Sequence, residues 1–136
     1  MTGHVDVRVV ARAPLERVWA VATDPEQWAR AGHPAAPVER GGDRMRFRVA
    51  TGVVERVDDP RHRTVFSRRI DSNEFVYCHL WFGHEEVADG TELRCVADFE
   101  MSPSAIAGDA EMQAAIERAL RANLTATARL AEGPAD

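Results

Sequence analysis

The sequence predicts an α+β fold in which a curved antiparallel sheet buries one face against a long C-terminal helix. Three patterns carry that reading: apolar/polar alternation in the first and last strands, turn residues at short intervals between them, and a three- and four-residue apolar repeat near the C-terminus. Val5, Val7, Val9 and Ala11 alternate with Asp6, Arg8 and Val10, the period of two of a half-buried strand. Pro14, tolerated in a helix's first turn, precedes Leu15, Val18, Trp19 and Ala22 at helical spacing. Thr23-Asp24-Pro25 breaks that run and caps a second short helix carrying Trp28. From Val38 to Phe99, breaks at Gly41-Gly42-Asp43, Asp58-Asp59-Pro60, Asp71-Ser72-Asn73 and Asp89-Gly90 divide the chain into the short strands of a meander. In its last strand Leu93, Cys95, Ala97 and Phe99 face one way and Glu92, Arg94, Asp98 and Glu100 the other, so one face of the sheet is wet. Asp109 opens a long helix with Met112, Ile116, Ala119, Leu120, Asn123, Leu124, Thr127 and Leu130 along one stripe, and Gly133-Pro134 ends it.

The length of 136 residues, 45% of them hydrophobic, suits a single domain that buries roughly two thirds of the surface its unfolded chain exposes. No stretch approaches the ~20 apolar residues of a membrane span, and His4, Asp6 and Arg8 stand where a signal peptide needs an apolar run. A cytoplasmic location is therefore expected. The bases number 17 against 22 acids, all of them arginine, for a net charge of −5. A nucleic-acid binder, which needs a net basic stripe, is excluded on that balance. Cys78 and Cys95 are too few for a disulfide scaffold and lack zinc-site spacing, so both read as buried thiols.

Two kinds of polar residue stand out on apolar patterns. Asn123 interrupts the stripe of the last helix, and a buried amide is unfavourable by a few kcal/mol unless it finds partners. It is satisfied either by backbone or internal water, or by a ligand in a cavity between helix and sheet. Arg56 lies within Val53–Val57, and Arg68 and Arg69 within Val65–Ile70; both segments read as strand, so alternation sends one of each neighbouring pair inward. An inward guanidinium needs an acid or a polar ligand, and its fork of donors suits an enolate or carbonyl oxygen. Otherwise a strand arginine reaches water or pairs across strands. The strand from Phe75 to Gly83 is apolar on both faces, with Val76, Cys78, Leu80 and Phe82 on one and Phe75, Tyr77, His79 and Trp81 on the other, so a partner or a second copy is expected to cover the outer one. His33, His79 and His84 form no metal-binding or triad spacing.

Local motifs sharpen this. The stretches from Ala13 to Trp19, Thr23 to Trp28, Gly90 to Arg94, Asp98 to Pro103 (Asp-Phe-Glu-Met-Ser-Pro) and Arg121 to Asn123 (Arg-Ala-Asn) resemble the single-domain polyketide aromatase/cyclases of the START and birch-pollen-allergen superfamily. The resemblance covers about residues 4 to 130. It implies the helix-grip fold, in which a curved sheet grips the last helix around a hydrophobic cavity. It further implies that a poly-β-ketone tethered to an acyl carrier protein enters the cavity and undergoes regiospecific aldol cyclisation and dehydration, without a metal or organic cofactor. By position, the family's catalytic strand arginine falls on Arg56, a second pocket arginine on Arg69, a pocket tryptophan on Trp28, a strand aromatic on Phe82 and the helix asparagine on Asn123. Cys95 replaces a further pocket aromatic on the last strand, and Gly32 and Ala35, flanking His33 and Pro34, replace ring-bearing residues of a loop. Only seven residues separate Arg48 from Arg56, where the family has a longer hairpin, and its pocket positions fall on Ala50, Gly52 and Val54. A wider or differently shaped cavity is expected. Proton movement is left to a bound water, Tyr77 or His33. Two rival readings use the same fold: a carrier of lipids or polyketides, and an interaction module working through the Tyr77 to Trp81 surface.

Overall fold

In the computed structural model, residues 2–30, 36–49, 52–103 and 109–133 are described. The strands are β1 (Thr2–Ala11), β2 (Ala36–Gly41), β3 (Arg44–Val49), β4 (Gly52–Asp59), β5 (Thr64–Ser72), β6 (Phe75–Val87) and β7 (Gly90–Met101). Helices α1 (Leu15–Ala22) and α2 (Pro25–Arg30) follow β1, and α3 (Asp109–Glu132) closes the order. Every sheet pairing among the described residues is antiparallel, and the strand order is β1-β7-β6-β5-β4-β3-β2. The meander expected from the turn residues is thus β2 to β7, with β1 added at the far edge beside β7.

Caps follow the expected chemistry. Pro14 precedes α1 in an extended conformation, and its carbonyl accepts the Arg17 and Val18 N–H groups at 3.1 Å. The Asp24 carboxylate accepts the Glu26 N–H at 3.0 Å, and Pro25 takes the first position of α2. Gly133 at φ 66° receives the chain as it leaves α3, its N–H donating to the Arg129 carbonyl at 3.1 Å.

Two features depart from the sequence pattern. Strands β3 and β4 meet at the pair Val49–Gly52, where the sequence shows no break because Ala50-Thr51 is not turn chemistry. Gly52 is required there: it has φ 152°, and a Cβ on it would overlap the Asp71 carbonyl. The second departure is in β6, where a register shift between Phe75 and Tyr77 reverses the expected phase. Phe75 is buried inside and Val76 is 60% exposed, while Tyr77, His79 and Trp81 lie on the outer face. An extra residue in one strand does this, and simple alternation cannot foresee it.

Helix α3 packs on β1 and β7. Val5, Val7, Ala11, Leu93, Cys95, Ala97 and Phe99 meet Leu120, Leu124, Ala128 and Ala131 in one core, with Val18 of α1 beside them. A fully buried side chain of the larger kinds contributes roughly 1.5–3 kcal/mol. Polar contacts fasten the end of α3 to the segment after β1. The Arg12 N–H donates to Glu132 Oε2 at 2.9 Å and Arg17 Nε–H donates to the Ala131 carbonyl, while the buried Thr91 hydroxyl of β7 ties the same segment to the sheet by donating to the Ala13 carbonyl at 2.8 Å. Toward β4 and β5 the buried inward residues Val54, Val65 and Ser67 are short, Arg56 and Arg69 lie beside them, and there the space under the helix stays open.

Candidate functional site

That space is a cavity of about 260 Å³ between the inner face of β3–β7 and the Ala119 to Thr127 stretch of α3. Its wall is mostly apolar, including Phe47, Val54, Val65, Leu80, Phe82, Leu93, Leu120 and Leu124. Arg56, Arg69, Ser67, His84, Asn123 and Thr127 supply its polar points. Strand alternation puts them there: Arg56 pairs with Ser67 and Ser67 with Leu80 along one inward row, while Val57 and Phe66 in the adjacent row face outward.

Arg56 is held, not merely pointed inward. Its side chain is 13% exposed, its Nε–H donates to Asp58 Oδ1 at 2.7 Å, and Nη2–H donates to the Ala22 carbonyl at 2.6 Å. Ala22 is the last residue of α1, so the guanidinium caps a carbonyl at the helix's C-terminal end. Burial lowers the Arg56 pKa and the Asp58 carboxylate opposes that shift. An arginine remains a cation regardless, so the wall carries a fixed positive charge beside its counter-ion. Arg69 is half-buried in the wall, with its guanidinium 5.9 Å from the centre of the Phe75 ring. Asn123 is likewise half-buried and lines the cavity from α3.

At the α1 side of the cavity stands His84, 8% exposed. Its Nδ1 lies 2.8 Å from the Arg63 carbonyl, which accepts only, so Nδ1 carries the proton. The Trp19 ring meets the imidazole edge-on at 5.4 Å. Burial pushes the His84 pKa down; the Arg63 carbonyl acts against this, Arg56 adds to it, and Asp58 acts against it. Arg63 adopts φ 54°, rare outside glycine, and is fixed by its stack 5.6 Å from the Trp19 ring and by donating to Glu16 and to the Pro60 carbonyl.

The sequence-derived set sorts unevenly. Arg56, Arg69, Phe82 and Asn123 share the cavity wall. Arg68, the alternative of its pair, also borders the cavity but turns its guanidinium outward to Glu55, donating from Nε and Nη2 at 3.1 and 3.0 Å. Cys95, expected at the pocket surface, is instead fully buried in the core and is not one of the lining residues, because β7 there lies directly under α3. Burial pushes its pKa up to about 12, so it is a neutral thiol. Cys78 does line the cavity, also with a raised pKa. Tyr77 faces outward, its ring 5.3 Å from that of His79, and cannot serve the cavity. His33 and the Trp28 side chain lie outside the described residues. His84, Ser67 and Asp58 were missed as site residues; His84 shares the inward parity of Cys78, Leu80 and Phe82, and that signal was present in the sequence. Among the described residues, no group of three or more His, Cys, Asp and Glu side chains is placed to hold a metal ion. No helix among them is long and apolar enough to cross a membrane.

A family profile described as polyketide cyclase/dehydrase and lipid transport matches residues 2–132. The chain belongs to that family. This polyketide cyclase/dehydrase family member is 30% identical over 131 residues to a provisionally named polyketide cyclase of Streptomyces cyaneus, covering 87% of this chain and 86% of the relative. It is 31% identical over 109 residues to another, from Streptomyces halstedii, covering 71% of this chain and all of that one. The crystal structure of the Zhui aromatase/cyclase from Streptomyces sp. R1128 superposes with a TM-score of 0.78 at 23% identity, spanning 97% of this chain and 94% of the other. That likeness establishes the shared helix-grip fold.

Proposed function

We propose that this polyketide cyclase family member is an aromatase/cyclase. Its substrate is a poly-β-ketone delivered on an acyl carrier protein, and its reaction is regiospecific aldol cyclisation followed by dehydration. The observation that carries the reading is Arg56: a cation 13% exposed, fastened by Asp58 and the end of α1, in the wall of an otherwise largely apolar cavity. A folded ketone chain brings an enolate carbon to a remote carbonyl, and a confining wall supplies that proximity. The developing charge sits on enolate and alkoxide oxygens, where a pre-placed cation is worth roughly 3–4 kcal/mol. Arg56 takes that role, Arg69 supports it from β5, and Asn123 orients a second carbonyl by hydrogen bonding. Phe82 and the aliphatic wall hold the chain.

The test is product analysis after mixing the purified protein with a minimal polyketide synthase and its carrier protein, against the same mixture without it. A regiochemically uniform aromatic product is expected, replaced by the spontaneous mixture with Arg56→Ala, whose rate of correct closure should fall by roughly 10²–10³. Circular dichroism of the variant checks that the fold is kept. A lipid or polyketide carrier would leave the mixture unchanged while still binding chains.

A further inference from the structure

We propose that His84 is the proton-transfer residue of this cavity, taking and returning protons through Nε2 while Arg56 holds the oxyanion. The proposal rests on the cyclase reading above and supplies what that reading lacks, a base: an arginine that stays protonated cannot be one. Tyr77 is turned to the opposite face of the sheet.

The geometry argues for His84 in three ways. Its Nδ1–H is committed to the Arg63 carbonyl, which fixes the tautomer and leaves the lone pair on Nε2. No described residue hydrogen-bonds Nε2, and His84 is one of the residues that line the cavity. The carbonyl that orients it comes from the one non-glycine residue with positive φ among those described, and Arg63 is clamped there by Trp19, Glu16 and Pro60. A strained residue held this firmly, aiming its carbonyl at a buried imidazole, is the arrangement of a base and its orienting partner.

The charged groups around the ring are Arg56 and Asp58 of β4 and Arg63 of the turn between β4 and β5. From α1 it meets the Trp19 indole, and its neighbour on β7 is Leu93. Burial holds the ring neutral near pH 7, as a base must be.

In the first step Nε2 accepts a proton from the methylene between two ketones, and the C–H electron pair becomes the enolate, whose oxygen faces Arg56. The enolate carbon bonds to the remote carbonyl carbon, and the carbonyl π pair moves to oxygen as an alkoxide. The imidazolium returns its proton to that alkoxide, giving the β-hydroxy ketone and neutral His84. For dehydration Nε2 takes the second proton of the same carbon. As the C–O bond breaks, the imidazolium protonates the departing hydroxide, which leaves as water.

The experiment follows ring closure of a synthetic pantetheine thioester of a linear poly-β-ketone from pH 5 to 8, for wild type, His84→Asn and, as an outer-face control, His79→Asn. Asn at 84 keeps an N–H for the Arg63 carbonyl and removes Nε2. The expected result is an acid limb in the wild-type rate, its loss in His84→Asn together with a fall of roughly 10²–10⁴ at neutral pH, and an unchanged His79→Asn. A wild-type protein that does not accelerate closure overturns the cyclase reading and the base with it. An active wild type whose His84→Asn variant keeps the rate or the acid limb overturns the base alone. Nitrogen NMR of the histidine rings in the wild type needs no variant to fold: a buried Nδ1–H tautomer titrating at the midpoint of the acid limb is expected, and the opposite tautomer or a different midpoint refutes the proposal.

Discussion

His84 and Glu55 are both buried ionisable residues on neighbouring parts of one sheet, and the face each occupies decides what its charge does. On the inner face burial lowers the His84 pKa below its ordinary 6.5, so the unfolded chain binds that proton more readily than the native state. Stability from this group is complete above pH 6.5 and is lost as pH falls from there through the lower native value. Urea unfolding at pH 7.5, 6.5 and 5.5 should show wild type losing stability over that range more steeply than His84→Asn. On the outer face Glu55 is 4% exposed, and burial pushes its carboxyl up, but Arg68, Arg44 and Arg46 together outweigh burial and hold it below the usual range. Its stabilising contribution is therefore present above that range and is lost as pH falls through the depressed native value, a separate and more acidic transition.

Strands carry these residues in rows, and the row Arg46–Glu55–Arg68 crosses β3, β4 and β5 on the outer face. Glu55 accepts from Arg46 Nε at 3.2 Å and from Arg68, with Arg44 Nη1 3.7 Å away. Glu55→Gln leaves three arginines facing one another. It should lower unfolding stability by about 1–3 kcal/mol, less in high salt, with the denaturant slope unchanged. Elements whose pattern is complete in themselves were legible from sequence: β1 and β7 by alternation, α3 by its stripe between Asp109 and Gly133. The Val49–Gly52 junction and the β6 register shift were not, since each depends on how one strand lies against another. The site followed the same division. Parity showed one arginine position of each neighbouring pair turned inward and the family resemblance picked out Arg56 and Arg69, while Asn123 stood out as an amide on an apolar stripe; His84 shares the inward parity of Leu80 and Phe82, but what sets it apart from them is the Arg63 carbonyl, 21 positions away in the chain.

Across the whole molecule the two halves of the sheet serve different ends. The β1–β7 half is filled by α3, and the β4–β5 half, whose inward apolar side chains Val54 and Val65 are short, leaves a cavity walled partly by Arg56 and Arg69. Filling that half should exchange function for stability. Val54→Phe, placed on the wall, should raise the thermal midpoint or leave it unchanged while shifting the products of long ketone chains toward the spontaneous mixture. A variant with wild-type products would mean that the chain does not occupy this part of the cavity.

Strand β1 has one neighbour in the sheet, β7, with Thr2 opposite Glu100 and Ala11 opposite Thr91. On the ribosome β1 is therefore the one of these seven strands that waits longest, for on the order of ten seconds, until its partner emerges. During that interval its valines stand unpaired, a stretch of exposed strand that a chaperone would have to shelter.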